Sequence, residues 1–275
     1  MCAHGFRGQR GVFLEHDHRG DGLDPAFVRQ THHRNLGIGL ARQGKRVLLV
    51  DADPQGDLTT SLGWHADELE ITVSTKMTGI IGETGADPFV GILHHAEGID
   101  LLPSGIELSA MEMQLVNAMS RETILRTYLN EVSDNYDFIL IDCMPSLGMI
   151  TLNALAAADS VIIPVQAQYL PAKGMTQLLQ TIVRVRKYIN PRLQIDGILL
   201  TLVDNRTNLA RSTMEYLRNS FGQAAPIFES SIPIAVRAAE SSAKGQSIYS
   251  YASNSPVATA YERFTQEVLT HGKIN

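Results

Sequence analysis

From residue 35 onward, the chain alternates short apolar runs with longer segments of helical periodicity. Residues 47–51 and 138–142 are apolar up to their last position, which is an aspartate in both runs. Runs of this length between turn-forming residues are typical of strands buried in a parallel sheet. Residues 174–188 instead repeat apolar side chains at the spacing of one helix face. This alternation indicates βαβ units, so we predict an α/β fold with a mostly parallel twisted sheet flanked by helices.

The same patterns place the remaining elements. Strands are expected at residues 47–51, 99–103, 138–142, 160–164 and 195–203. Helices are expected at residues 35–41, 111–131, 149–157, 174–188, 209–219 and 256–269. Asn35 is expected to cap the first helix, and Gly44 to follow its end. No repeat, low-complexity tract or linker divides residues 35–275, which we therefore expect to form one domain.

Residues 1–34 differ in texture from the rest of the chain. They contain five of the nine histidines, many glycines and arginines, and little periodicity. We predict an irregular N-terminal segment, with at most a short strand at residues 11–14. A metal site built from these histidines is the weaker alternative, because no zinc-type spacing with cysteines is present.

Composition narrows the class of protein. The chain has 275 residues, with 44% hydrophobic and 19% charged residues, as in ordinary globular proteins. No apolar run approaches the roughly 20 residues of a membrane-spanning helix, and no signal-peptide core is visible, so we expect a cytoplasmic protein without membrane contact. A formal net charge of −6 argues against a generally basic nucleic-acid binder and leaves room for a local basic patch. Cys143 is interpreted as a packed residue rather than a nucleophile.

Three aspartates stand at strand ends. Asp51 ends one apolar run and Asp53 follows it, while Asp142 ends the other. Ligands of open α/β sheets bind outside the carboxyl ends of the strands, where these acids would meet. Mg²⁺ prefers one or two carboxylates together with phosphate oxygens and water. The sequence therefore predicts a magnesium-phosphate site, with simple capping of strands and turns as the alternative.

Five segments of the chain resemble the ParA/Soj family of chromosome- and plasmid-partitioning ATPases, a branch of the deviant P-loop NTPases. The segments are NLGIGLARQGKRVLLVDADPQGDLTTSLG at 35–63, YDFILIDCMPSLGMITLNAL at 136–155, DSVIIPVQAQYLPAKGM at 159–175, GILLTLVDNRTNL at 197–209, and IPIAVRAAESSAKGQSIYSY at 232–251. They occur in family order through residues 35–275, which makes the resemblance more specific than a lone motif.

The resemblance implies roles for the site residues. Asp53 matches the family's switch I, where it would help to hold Mg²⁺ through water and position the attacking water, with Asp51 beside it. Asp142 matches the Walker B acid, which holds a magnesium-bound water. Pro145 and Gly148 belong to a turn similar to switch II, which senses the γ-phosphate, and are expected to contact the nucleotide.

The resemblance also implies partners. ATP and Mg²⁺ would be the cofactors, a homodimer would form over two nucleotides, and a ParB-type DNA-binding protein would stimulate hydrolysis at the nucleoid. Arg206 and Arg237 match family positions that contact the DNA backbone without reading sequence, and Lys244 would add to them. A second basic cluster is interpreted as a solvated helix face. Its members are Lys173, Arg184, Arg186 and Lys187.

The match fails at the phosphate loop. The family carries KGGxGKTT just before the helix that contains NLGIGLA, whereas this chain has FVRQTHHR at residues 27–34. Loop N–H groups and the loop lysine hold the phosphates, so we expect very weak ATP binding by the chain as it stands. Arg-Gln-Thr-His-His read one base later can encode Gly-Lys-x-Thr-Thr, and we hypothesise that residues 1–34 reflect a shifted reading frame or start.

Two other classes of protein remain as alternatives. A pseudo-ATPase or interaction module would keep the surface of the family without its catalysis, which the missing loop favours. A MinD-like membrane-cycling ATPase is disfavoured, because residues 261–275 lack the basic amphipathic helix that such proteins use.

Overall fold

A computed structural model of the chain describes residues 8–14, 25–144, 148–167, 172–204 and 206–271. Its sheet has eight strands: β1 (Gln9–Phe13), β2 (Val47–Ala52), β3 (Leu93–His94), β4 (Asp100–Leu102), β5 (Phe138–Cys143), β6 (Ser160–Gln166), β7 (Gln194–Val203) and β8 (Ile227–Pro233). The strand order is β3-β4-β2-β5-β1-β6-β7-β8, and only the β3–β4 pair is antiparallel within this sheet. The predicted α/β fold with a mostly parallel sheet is thus confirmed.

Helices cover both faces of the sheet. They are α1 (Pro25–Arg42), α2 (Asp57–Ser61), α3 (Val73–Ile81), α4 (Leu108–Asn117), α5 (Ile124–Val132), α6 (Met149–Ala157), α7 (Ala172–Tyr188), α8 (Asn208–Phe221), α9 (Val236–Ala243), α10 (Ile248–Tyr251) and α11 (Pro256–His271). Among the described helices, none combines the length and apolarity that crossing a membrane requires.

The position of β2 between two cores explains why the strand sequences are continuously apolar. Leu48 and Val50 pack into the core beneath α3 to α8, whereas Val47 and Leu49 pack into the core beneath α1, α10 and α11. Alternate side chains therefore enter two cores, so both sets must be apolar. The strands predicted around β2, β4, β5, β6 and β7 are found within two residues of their expected bounds, while β3 and β8 were not predicted.

The N-terminal segment requires a correction. Residues 9–13 form the central strand β1, which pairs in parallel with β5 on one side and β6 on the other. The strand satisfies backbone groups of both neighbours, and Val12 and Phe13 are buried in opposite cores. Tertiary pairing therefore overrides the weak local pattern that suggested an irregular segment.

Two helix boundaries also differ from expectation. Helix α1 begins at Pro25, so Asn35 lies inside it rather than at its cap. The buried side chain of Asn35 instead accepts a hydrogen bond from the backbone N–H of Ile248 at 3.0 Å. The helix expected at residues 111–131 is divided into α4 and α5, and Ser120 between them has a positive φ of 52°. That left-handed turn interrupts the helical path.

Candidate functional site

The three aspartates meet at the carboxyl edge of the sheet. Strands β2 and β5 are neighbours, and their register places Asp51 directly beside Asp142. Exposure is 0% for Asp51, 9% for Asp53 and 5% for Asp142. Burial raises the pKa of the Cys143 thiol, and the charges of all three carboxylates raise it further, so each lies within electrostatic reach of that thiol. The buried thiol is the packed residue that the sequence suggested.

Asp51 is held by three hydrogen bonds. Its Oδ2 accepts hydrogen bonds from the Thr59 backbone N–H at 2.9 Å and from the Thr59 hydroxyl at 2.7 Å. Its Oδ1 accepts from the backbone N–H of Asp53 at 3.2 Å. Burial nevertheless raises the pKa of Asp51 to about 7, because the three donors only partly offset desolvation of the charge. Asp51 thus ties the acidic loop to α2.

Asp53 shapes the loop that follows β2. Its Oδ1 accepts the backbone N–H of Gln55 at 3.0 Å, and its carbonyl oxygen accepts the backbone N–H of Gly56 at 3.0 Å. Gly56 then begins α2 with a φ of 63°, a left-handed conformation that glycine adopts without strain. These contacts hold the carboxylate of Asp53 at the sheet edge, next to Asp51.

No pattern in the sequence indicated that His33 would reach Asp142. In the structure, His33 Nδ1 lies 3.4 Å from Asp142 Oδ1, and both side chains are almost fully buried. The imidazole also packs on the ring of Phe13, with 4.3 Å between ring centroids. The neighbouring His32 points elsewhere: its Nδ1 is 2.7 Å from the hydroxyl of Tyr261, and burial lowers its pKa to about 4. His32 is therefore neutral and structural, while His33 belongs to the acid cluster.

The carboxylates fit a hydrated magnesium ion. Desolvation leaves Asp51 with a raised pKa, and a cation at the cluster would favour its ionised form. Across the described part of the chain, no group of three or more His, Cys, Asp or Glu side chains is arranged to hold a metal ion directly. Mg²⁺ usually keeps several waters and takes one or two carboxylates, so water-mediated contacts from Asp53 and Asp142 match its chemistry.

The residues at the start of α1, which would have to hold the phosphates of a nucleotide, fit that role less well. Helix α1 already runs from Pro25, and residues 25–34 contain no glycine whose backbone could approach a phosphate closely. From Thr31 to Asn35, every side chain is buried against the protein itself. Residues 15–24 lie outside the described residues. Among the described residues, the site thus has carboxylates for a cation but no glycine-rich cradle for a triphosphate.

The turn resembling switch II is described only in part. Pro145 lies outside the described residues. Gly148 precedes α6, and a Cβ atom on it would overlap the carboxylate of Glu112. Glu112 on α4 also approaches the backbone N–H of Ile150 at 3.5 Å, near the positive end of the α6 dipole. The glycine thus lets an acidic side chain of α4 sit against the start of α6.

The two arginines predicted to contact DNA follow adjacent strands. Residues Val203 on β7 and Pro233 on β8 are register partners, and the backbone N–H of Ile234 donates to the Val203 carbonyl at 3.1 Å. Arg206 and Arg237 come shortly after these strand ends and are both exposed. They therefore lie at the same carboxyl edge of the sheet as the acids.

A buried arginine that the sequence did not single out connects these parts. Arg34 on α1 is 0% exposed. Its guanidinium donates to the Ser61 carbonyl at 2.9 Å and to the hydroxyls of Ser241 and Ser242 at 3.1 and 2.9 Å. Ser61 ends α2, while the two serines lie on α9, the helix of Arg237. Arg34 thus joins the acidic loop's helix to the helix that carries a candidate DNA contact.

Comparison with known proteins agrees with this geometry. The family AAA_31, described as an AAA domain, matches residues 28–195. The sporulation initiation inhibitor protein Soj of Bacillus subtilis is 40% identical over 250 residues, covering 89% of this chain and 94% of that protein. The chromosome-partitioning ATPase Soj of Thermus thermophilus is 42% identical over 235 residues, covering 86% and 88%.

Solved structures share the fold. Cobyrinic acid a,c-diamide synthase from Mycobacterium smegmatis, with bound ATP analog and magnesium, superposes with a TM-score of 0.79. The two sequences are 33% identical, and the match covers 96% of each chain. The eight-stranded sheet with its flanking helices is therefore a P-loop NTPase-like architecture.

Proposed function

This chain belongs to the AAA domain family and, within it, to the Soj/ParA chromosome-partitioning ATPases, and from that premise we propose that it acts in DNA segregation with ATP and Mg²⁺ at its acid cluster. The observation that carries the proposal is the convergence of Asp51, Asp53 and Asp142 at one sheet edge. Bound Mg²⁺ would offset phosphate charge there. Asp142 would hold a water of the ion, and Asp53 would orient the water that attacks the γ-phosphate.

The proposal includes DNA and protein partners. Arg206 and Arg237 would contact DNA phosphates without reading base sequence, and Lys244 at the end of α9 would extend the same surface. Two copies of the chain would associate over the nucleotides, and a ParB-type DNA-binding protein would stimulate hydrolysis. The corresponding location is the cytoplasm, at the nucleoid. The relatives named for chromosome partitioning support the proposed role in DNA segregation.

The test compares two proteins. The first is the chain as it stands, and the second is a variant that carries the family's KGGxGKTT loop ahead of Asn35. ATP hydrolysis and an ATP-dependent DNA mobility shift are measured for both. We expect both activities in the loop-bearing variant and their loss when Asp142→Asn is added. A loop-bearing variant that binds ATP but shows no ATP-dependent DNA shift would refute the DNA part of the proposal.

A second candidate function follows from α1. Its unbroken helix from Pro25 and the lack of glycine in residues 25–34 favour a protein that keeps the fold and partners of the family without hydrolysing ATP. The ATPase assay on the unaltered chain separates the two candidates. Hydrolysis that is lost in Asp53→Ala excludes the pseudo-ATPase.

A further inference from the structure

Six cationic side chains lie toward the amino edge of the sheet, at the opposite end from the acid cluster. Arg10 is on β1, Arg126 is on α5, and Arg192 lies two residues before the start of β7. The other three, Arg184, Arg186 and Lys187, are exposed near the end of α7. We refer to these six residues as the amino-edge patch. Within the described residues, none of the six takes part in an ion pair of 4 Å or less.

Three of these cations line one pocket of about 420 Å³. Arg10 is only 8% exposed and forms the inner wall of the pocket, whereas Arg192 is exposed. The Arg10 guanidinium donates to Asn130 Oδ1 at 2.8 Å and to the Ala157 carbonyl at 3.4 Å. Burial lowers the pKa of Arg10, Asp159 opposes that effect, and the positive charge of Arg126 lowers it further.

The carboxylates at this pocket do not neutralise the arginines directly. Asp159 turns its Oδ2 to the backbone N–H of Arg10 at 2.8 Å, and not to the guanidinium. Asp134 also lines the pocket, and its backbone carbonyl accepts from Arg46. Three arginines thus face two aspartates, leaving an excess of positive charge on a chain whose net charge is −6. Positive charges that are partly buried close to one another favour the binding of an anion that compensates them.

We propose that the amino-edge patch binds phosphate groups of a DNA backbone and forms a second contact surface, separate from Arg206 and Arg237. Arginine forks match phosphate oxygens in geometry and charge. The cations extend beyond the pocket along the end of α7, which suits the repeated charges of a polymer better than one free phosphate. The choice of DNA as the source of phosphate rests on the proposed function.

The two surfaces are far apart. Strand β7 has ten residues, and Arg192 precedes it while Arg206 follows it. A strand rises about 3.3 Å per residue, so the surfaces are separated by roughly 30 Å. One protomer would then contact two segments of duplex, or one segment that bends around it. The patch lies at the opposite edge of the sheet from the acid cluster, so we expect its DNA binding to require no ATP.

The test uses the full chain without ATP. Arg126→Gln/Arg192→Gln is compared with wild type in a fluorescence titration with duplex DNA at several salt concentrations. We expect roughly tenfold weaker binding at low salt, and a salt slope reduced by about two because two phosphate contacts are lost. Arg126→Lys/Arg192→Lys keeps both charges and should retain most of the affinity. The same loss should appear in an Arg206→Ala/Arg237→Ala background, where only the amino-edge patch remains.

A matched control removes the same charge elsewhere. Arg121 and Arg218 are exposed arginines already paired with Glu122 and Glu229. Arg121→Gln/Arg218→Gln should leave the salt slope unchanged, and equal losses in both double variants would reduce the effect to net charge and overturn the proposal. An unchanged slope in Arg126→Gln/Arg192→Gln, with an unchanged melting temperature, would overturn it as well.

A third arm separates the sources of phosphate. Pyrophosphate is titrated calorimetrically into wild type and the patch variant. Binding of pyrophosphate that depends on Arg126 and Arg192, without any dependence of DNA binding on them, would assign the pocket to free phosphate compounds and refute the DNA surface. Failure of the proposed function would look different: the ATP-dependent DNA mobility shift would be absent, and Arg206→Ala/Arg237→Ala would leave DNA binding unchanged.

Discussion

The guanidinium of Arg206 is held by the carboxylate of Asp204 through two hydrogen bonds of 2.8 and 2.9 Å. The same carboxylate accepts the backbone N–H of Arg206 at 3.0 Å, and the arginine side chain is 90% exposed. The hydrogen bond from Arg206 lowers the pKa of Asp204 to about 2. Exposed pairs of this kind contribute little to stability, so the contact mainly decides how available the guanidinium is to an outside anion.

Asp204→Asn should therefore strengthen DNA binding. It removes a carboxylate that competes with DNA phosphate for Arg206 and also repels the backbone. An exposed pair is weak, so we expect a gain of no more than about fivefold at low salt, measured by DNA titration. Glu229→Gln on β8, which releases Arg218 on α8, serves as control and should change affinity less. Weaker binding by Asp204→Asn would mean that the aspartate is needed to aim the arginine.

The raised pKa of Asp51 predicts a pH dependence of stability. The folded-state pKa of about 7 lies above the ordinary aspartate value near 3.9, so the folded protein keeps a proton that the unfolded chain releases between these values. The contribution of Asp51 to the free energy of unfolding thus falls as pH rises from about 4 to about 7. About three pKa units correspond to a loss on the order of 4 kcal/mol.

Asp51→Asn cannot titrate and should flatten this part of the profile, as measured by urea unfolding at several pH values between 5 and 8. Its absolute stability will also fall, because an amide cannot accept all three hydrogen bonds that Thr59 and Asp53 donate. The informative quantity is therefore the slope. Asp67→Asn, at an exposed position, is the matched control. Parallel profiles for wild type and Asp51→Asn would show that Asp51 is ionised throughout.

Local pattern was sufficient to place the acid cluster. Strands β2 and β5 are buried on both faces, which forces a continuous apolar run, and the aspartates at their ends interrupt it abruptly. Once the two runs are assigned to one parallel sheet, Asp51 and Asp142 are expected at the same carboxyl edge, and the pairing of β2 with β5 places them side by side.

The features that the sequence analysis missed depend on contacts between residues far apart in the chain. The strand β1 has few local strand signals, and its place between β5 and β6 is set by partners more than a hundred residues away. The contact of His33 with Asp142 depends on that packing, as does the reach of Arg34 to Ser241. No periodicity or motif in residues 1–34 encodes these partners, so the pattern suggested an irregular segment instead.

Gly148→Ala tests whether the start of α6 serves hydrolysis. The new methyl group would overlap the carboxylate of Glu112, which sits at the end of a flexible side chain and can move away. The backbone of Gly148, with φ −75° and ψ −177°, suits alanine. We therefore expect a change in stability below about 1 kcal/mol, together with slower ATP hydrolysis in a loop-bearing variant.

Glu112→Ala distinguishes the two causes of such a loss. If Gly148→Ala acts by displacing Glu112 from the backbone N–H of Ile150, then Glu112→Ala should reproduce its ATPase rate. If the glycine itself must approach the nucleotide, only Gly148→Ala should be slow. Full activity in both variants would contradict the nucleotide contact expected of Gly148.

The close crossing of α1 and α11 at Gly39 predicts a reversal of the usual helix rule. Replacing a glycine inside a helix by alanine normally stabilises the protein by about 0.5–1 kcal/mol. A Cβ atom at Gly39 would overlap the hydroxyl of Thr265 and lie 2.7 Å from that of Tyr249, so Gly39→Ala should instead cost about 1–3 kcal/mol. Because α1 carries His33 and Arg34, displacing it also moves His33 at the acid cluster and Arg34 between α2 and α9.

A double-mutant cycle isolates this contact. Thr265→Ala removes the hydroxyl that the new methyl group meets, together with its 2.8 Å hydrogen bond to the Tyr261 carbonyl. In that background, Gly39→Ala should cost less than it does in wild type, with a coupling of about 1 kcal/mol or more in urea unfolding. Additive costs in the cycle would place the strain at Tyr249, which Tyr249→Phe in the same background would then relieve. A Gly39→Ala protein that is more stable than wild type would show that the two helices separate freely.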